Sequence, residues 1–299
     1  MPTVGPIFLQ PFAPDPRLDE LPLSYVPGFA PSVLRLDEVD TLISGNKWYK
    51  LRYYLADALA TGRKIVTWGG AWSNHILATA IACQRQGIGC TGIIRGEEPA
   101  TPSFTLATAR EAGMELIYRS RTDYRNKILP RPFPAEQYLM IPEGGYGETG
   151  ARGASTIHEA RGTEAFDTIF CAVGTGTMIA GLVNGARPGQ RIIGIPVLKN
   201  ENAANEIAEL VLPGKTNWQL CAGYEFGGYA KYNSRLTAFM NSFYSQTGIP
   251  SDFVYTGKLF YAVTDLLNKG FIEKGSKLMI IHSGGLQGNL GLPPETLAF

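Results

Sequence analysis

Nearly unbroken apolar, β-branched runs alternate along this chain with segments whose apolar residues recur every three or four positions. The runs predict strands at 64–68, 90–95, 114–118, 137–141, 167–173, 191–197 and 277–283. The helical spacing predicts helices at 74–86, 102–112, 153–161, 178–186, 203–210, 232–247 and 259–269. Strands apolar on both faces, alternating with helices, predict an α/β fold of open, mostly parallel sheets covered on both sides. One further helix opens in "SGNKWYKLRYYL", where Trp48, Leu51, Leu55 and Leu59 share a face and Ser44 or Asn46 is placed to cap the start. Its first turn contains Lys47, with Lys50 one turn on. A helix N-terminus disfavours a free cation, so these lysines ask for an explanation.

Four polar, glycine-containing corners follow apolar runs. In "CAVGTGTMIAGL", Gly174, Thr175, Gly176 and Thr177 link a strand to a helix, an arrangement whose backbone N–H groups suit a phosphate. A dinucleotide fingerprint is the rival reading. It is disfavoured because Ile179 stands where the third small residue belongs and no acid follows about 20 positions on. In "WGGAWSNHIL", Ser73, Asn74 and His75 gather at a helix start, where a carboxylate would find free donors; plain capping by Ser73 or Asn74 is the alternative. "FVYTGKL" and "IIHSGGL" supply Tyr255, Thr256 and Lys258, and His282 and Ser283. Ligand sites in α/β folds gather beyond the carboxyl ends of parallel strands, where all four corners are expected.

Composition narrows the function classes. With 27 basic and 26 acidic residues among 299, and no block of like charge, nucleic acid and anionic membranes are poor partners. Glycine is high at 35 residues. The cysteines Cys83, Cys90, Cys171 and Cys221 form no C-x-x-C pair and read as thiols of a reducing compartment. The three histidines lack metal-ligand spacing, no G-x-S-x-G elbow occurs, and no apolar run reaches bilayer length. The first residues lack the pattern of a secretory signal, so a cytoplasmic protein is expected. The Pro-rich first 31 residues are expected to wrap a lobe.

The order of these pieces resembles the pyridoxal-phosphate enzymes of fold type II, the tryptophan-synthase-β type. Within them it resembles the branch of D-cysteine desulfhydrase and 1-aminocyclopropane-1-carboxylate (ACC) deaminase. "SGNKWYKLRYYL", "GGAWSNH", "GTGTMIAGL", "VYTGK" and "HSGG" carry the likeness over most of the chain. The resemblance implies two αβα lobes, residues 1–47 with 150–299 and residues 48–149, with pyridoxal 5'-phosphate in the cleft between them. It implies that Lys47 holds the cofactor as a Schiff base and later carries the substrate's Cα proton. By the same likeness Asn74 meets the cofactor's phenolic oxygen, and Gly174, Thr175, Gly176 and Thr177 hold its phosphate. Thr256 faces the ring nitrogen and Ser283 completes the cofactor site. Ser73, with the backbone of Asn74 and His75, takes the substrate carboxylate; Tyr229 and Tyr255 line the substrate side, with Ser73, Tyr229 and Tyr255 counted beside Lys47 in catalysis. A homodimer is also implied.

Two positions discriminate within the branch. ACC deaminases carry Glu in Y-E-G-K and Leu in H-L-G-G; here the residues are Thr256 and Ser283, which fits D-cysteine desulfhydrase better. Departures lie in "VLRLDEVDTLISGNK", which matches the K-R-D/E-D run loosely, and in "GGYAKYN", which lacks the usual G-V-P-N. The expected activity is therefore release of pyruvate, sulfide and ammonia from D-cysteine, with ACC deamination as the alternative. A nicotinamide oxidoreductase and a non-catalytic cofactor-binding protein are the remaining readings. Lys50, Lys258 and His282 are read as structural or electrostatic.

Overall fold

In the computed structural model, which describes residues 15–22 and 25–299, two separate sheets carry the chain. Most of the segment expected to wrap a lobe lies outside the described residues. In chain order the elements are β1 (Leu18–Glu20), β2 (Ser32–Arg35), α1 (Asn46–Thr61), β3 (Lys64–Gly69), α2 (Asn74–Gln86), β4 (Cys90–Arg95), α3 (Phe104–Glu111), β5 (Glu115–Arg119), α4 (Arg121–Arg125) and β6 (Tyr138–Ile141). They continue with α5 (Glu148–Ser155), β7 (Thr168–Val173), α6 (Thr177–Gly185), β8 (Arg191–Pro196), α7 (Ala203–Ala208), β9 (Trp218–Leu220), α8 (Ser234–Thr247), α9 (Thr256–Asn268) and β10 (Leu278–His282). The larger sheet runs β1-β2-β10-β7-β8-β9 and is parallel except for β1; the smaller runs β5-β4-β3-β6 and is parallel throughout.

The unbroken apolar strands are explained by burial on both faces. Along β10, Met279 and Ile281 join one hydrophobic cluster, with α1, α2, α5 and α6, while Leu278 and Ile280 join another, with α9. Strand β7 divides likewise, Ile169 and Cys171 to one side and Phe170 and Ala172 to the other. Each such large side chain contributes about 1.5–3 kcal/mol by leaving water. The first cluster runs from the smaller sheet to the larger through α1 and α5, so the two sheets share a core.

Several expectations are corrected. Helix α1 is capped by neither Ser44 nor the side chain of Asn46; it begins after Gly45, whose φ is 68°. The reason is close packing: a Cβ on Gly45 would collide with the Ser283 carbonyl, which instead accepts the Asn46 N–H at 3.1 Å. The helix expected at 153–161 starts earlier, as α5, and gives way to a 3-10 turn at Thr156–Glu159. The run before Tyr255 is a turn, not a strand. Asp252 folds it back by accepting the N–H groups of Val254, Tyr255 and Thr256 at 2.8–2.9 Å. Three of the four corners therefore follow strands, and the third reaches the same place through a capped helix start.

Candidate active site

Lys47 lies in the first turn of α1, beyond the carboxyl ends of β2 and β10. The turn is fixed at both ends. Its Asn46 N–H meets Ser283, and the Asn46 side chain reaches Met178 Sδ in the first turn of α6 at 3.3 Å. Helix α6 opens directly out of Gly174, Thr175 and Gly176, the last in left-handed conformation, and Thr175 and Thr177 hydroxyls stand 3.2 Å apart. The Asn46–Met178 contact thus brings the N-termini of α1 and α6 together, and the first turn of α6 presents N–H groups that no carbonyl within the helix can satisfy.

The other corners converge on it. A Cβ on Gly285 would lie 2.5 Å from Asn74 Nδ2 and 3.6 Å from the Asp252 carboxyl carbon, so the second, third and fourth corners meet at that glycine. Tyr255 touches the first: a Cβ on Gly174 would be 3.3 Å from its ring. Tyr229, on the loop after β9, meets Tyr255 edge-on at 6.3 Å between centroids. Ser283 contributes through its carbonyl, as described.

Some predicted side chains are already occupied. Ser73 Oγ accepts the Ile76 N–H at 3.4 Å and so caps α2, the plain alternative weighed for it. Asn74 Oδ1 accepts from the Gln287 side chain at 2.6 Å. Thr256 donates its hydroxyl proton to Asp252 at 2.7 Å and accepts the Asp252 N–H at 2.8 Å, leaving one lone pair uncommitted. Burial raises the Asp252 pKa, against the hydrogen bonds from Thr256 and Tyr255.

His75 is buried, and its Nε2 lies 2.8 Å from Thr67 Oγ1. Thr67 gives its own proton to the Ile141 carbonyl, so His75 must donate from Nε2 and keep Nδ1 as a bare acceptor. That Nδ1 is buried without a partner. Burial, then the charges of Lys47 and Lys50, hold the imidazole well below its ordinary pKa.

Lys50 was set aside in the sequence, yet it belongs here. It is buried, and its ammonium reaches a single main-chain acceptor, Gly144 O, at 3.4 Å. A Cβ on Gly144 would be 3.0 Å from Thr175, which places that ammonium beside the glycine–threonine loop. Burial and then Lys47 push the Lys50 pKa well down, and burial lowers Lys47 to about 8. Among the described residues no carboxylate pairs with either lysine. Two uncompensated ammonium groups, one of them at an aligned helix start, form a receptor for an anion.

Over residues 34–284 the chain matches the family described as pyridoxal-phosphate dependent enzyme. The chain belongs to this pyridoxal-phosphate-dependent family. It is 30% identical, over 90% of both chains, to a putative ACC deaminase of Pyrococcus horikoshii. It is 26% identical, over 91% of its length and 92% of the relative's, to a D-cysteine desulfhydrase of Salmonella paratyphi A. The crystal structure of an ACC deaminase homologue superposes with a TM-score of 0.78 at 28% identity, covering 92% of this chain and 90% of that one. Pyridoxal phosphate is accordingly the cofactor. The donor set fits it: a doubly charged phosphate answers the unbalanced cations, and the depressed Lys47 amine suits its aldehyde. Among the described residues, no helix is long and apolar enough to cross a membrane.

Proposed function

We propose that this family member is a lyase of small D-amino acids, converting D-cysteine and water to pyruvate, sulfide and ammonia. The observation that carries the lyase reading is the pair of lysines without acids, Lys47 and the buried Lys50, beside the α6 loop and close enough to His75, with its orphaned acceptor, to depress its pKa. When bound, pyridoxal phosphate supplies an electron sink for the pair left at Cα. Lys50 and residues Gly174 to Thr177 hold the phosphate. Asn74 turns from Gln287 to the phenolic oxygen, and Ser283 keeps the Lys47 turn in place. The α2 start, with Ser73 and the backbone of Asn74 and His75, orients the substrate carboxylate. Lys47, with a pKa of about 8, is free as a neutral amine in a useful fraction near neutrality and moves the Cα proton. Tyr229 and Tyr255 cover the substrate side and exclude water. The lobes are residues 1–47 with 150–299 and residues 48–149, and a homodimer is the assembly to test.

Thr256, where ACC deaminases carry Glu, supports D-cysteine over ACC. One observation favours ACC, the second reading: Asp252 stands directly behind Thr256. A hydroxyl that has given its proton to a carboxylate offers an acceptor, so a ring nitrogen placed there would keep its proton and strengthen the sink.

The test is keto-acid release by the full chain loaded with pyridoxal phosphate, given D-cysteine, L-cysteine or ACC in turn. Pyruvate with equimolar sulfide from D-cysteine is the expected result. 2-Oxobutyrate from ACC in its place would sink the first reading and establish the second. Lys47→Ala should lower turnover by 10³-fold or more, on the order of what a lost nucleophile and base together remove, with its thermal unfolding unchanged. Activity surviving in that variant would remove Lys47 from the mechanism.

A further inference from the structure

Lys258 repeats the oddity of Lys47. It stands in the first turn of α9, where a cation is disfavoured, and no solvent reaches it. Its ammonium donates to three main-chain carbonyls: Val197 at 3.1 Å, Glu225 at 2.8 Å and Gly228 at 2.7 Å. An ammonium has three protons, and all three are used. Burial lowers its pKa to about 8, while Asp252 and Glu225 pull the other way.

Two of those carbonyls belong to the loop that carries Tyr229. The loop is tightly wound: Phe226, Gly227, Gly228 and Ala230 have φ of 50°, 93°, 118° and 52°. Phe226 and Ala230 bear side chains in a conformation that L-residues avoid. Local preference does not hold such a run, so something outside it must. Within it the Gly228 N–H returns to Glu225 O at 2.9 Å, closing the turn over the ammonium. On the far side of the turn, Tyr229 meets Tyr255, the residue immediately before α9.

We infer that Lys258 is a positioning residue whose ammonium clasps the Glu225–Gly228 turn to the start of α9 and so holds Tyr229 against Tyr255. The assignment of that face to the substrate rests on the proposed function; the clasp itself does not.

Hydrogen–deuterium exchange of the full chain, wild type against Lys258→Ala, tests it. Amides of residues 224–232 should exchange about tenfold faster or more in the variant, with β7 and β10 unchanged. Propylammonium, which fills the vacated space and carries three N–H donors, should restore protection; tetramethylammonium, which has none, should not. Wild-type exchange rates in the variant, or equal rescue by both amines, would overturn the clasp. If Lys258→Ala does not fold, Lys258→Gln, which keeps two amide protons, should show exchange between the wild-type and fully released rates, and wild-type rates there would count equally against it. In the loaded enzyme, Lys258→Ala should raise KM about tenfold with a smaller change in kcat. It should add little in a Tyr229→Ala background, because the two act as one unit. A wild-type chain that turns over no amino acid would refute the proposed function and leave the exchange result standing.

Discussion

Two groups of basic residues lie close together in the chain and are treated in opposite ways. Arg35, at the end of β2, is almost wholly buried and is given its acids: Asp37 at 2.7 Å, Asp19 at 2.8 Å and Glu38 at 2.8 Å. Burial opposes its charge, but Asp37, Asp19 and Glu38 more than compensate, and the guanidinium is held above its ordinary range. Lys47 and Lys50, a dozen or so residues on, are given none, and burial pushes both down. A cation supplied with its counter-charges is finished scaffold. A cation denied them is paired only when a ligand arrives, and the fold bears that strain until then.

The contrast can be broken most forcefully at Arg35. Arg35→Met leaves the buried Asp37 without its partner and should lower unfolding stability by about 3–5 kcal/mol, read from urea titration. Lys50→Met should do the reverse in the cofactor-free chain, leaving stability unchanged or improved because an uncompensated charge is gone. Its cofactor affinity should fall about 10–100-fold, on the order of one lost hydrogen bond to a charged group. Should both variants destabilise the free chain alike, the two groups are equivalent and the receptor reading fails. The smallest effect is on pH. In the proposed function Lys47 takes the aldehyde as the free amine, and its pKa of about 8 lies below the ordinary value. Cofactor uptake should therefore quicken about fivefold from pH 7 to 8 and level off above pH 9. An ordinary lysine would keep accelerating towards pH 10, and that profile would deny Lys47 its depressed pKa.

Much of the fold was legible because burial on both faces writes an unbroken apolar run. β4 and α2 occupy the predicted residues, β7 differs by a residue at its start and β10 by a residue at each end. Strands β1, β2 and β9 were not predicted, being only three or four residues long with polar members, β1 and β9 at the two edges of the sheet. Helix α5 was read as starting only at Gly153, with Gly150 before it arguing against helix. Both are small for a tertiary reason: Cβ atoms there would strike the Gly145 and Tyr49 carbonyls. The corners were visible as motifs, but partnership was not. No spacing rule says that Thr256 answers to Asp252, that Asn74 meets Gln287, or that Lys50 and Lys258 are buried. Those facts depend on segments that are distant in sequence.

The contact between Gly45 and Ser283 has a bearing on synthesis. Lys47 leaves the ribosome well ahead of the Ser283 carbonyl that fixes its turn. Contacts of such long sequence separation form late and slowly. Nascent chains and early-stalled fragments will expose this lysine as an ordinary one, unable to claim the cofactor. Cofactor capture then marks the completed molecule, and bound pyridoxal phosphate in a cell extract should count finished chains rather than all chains.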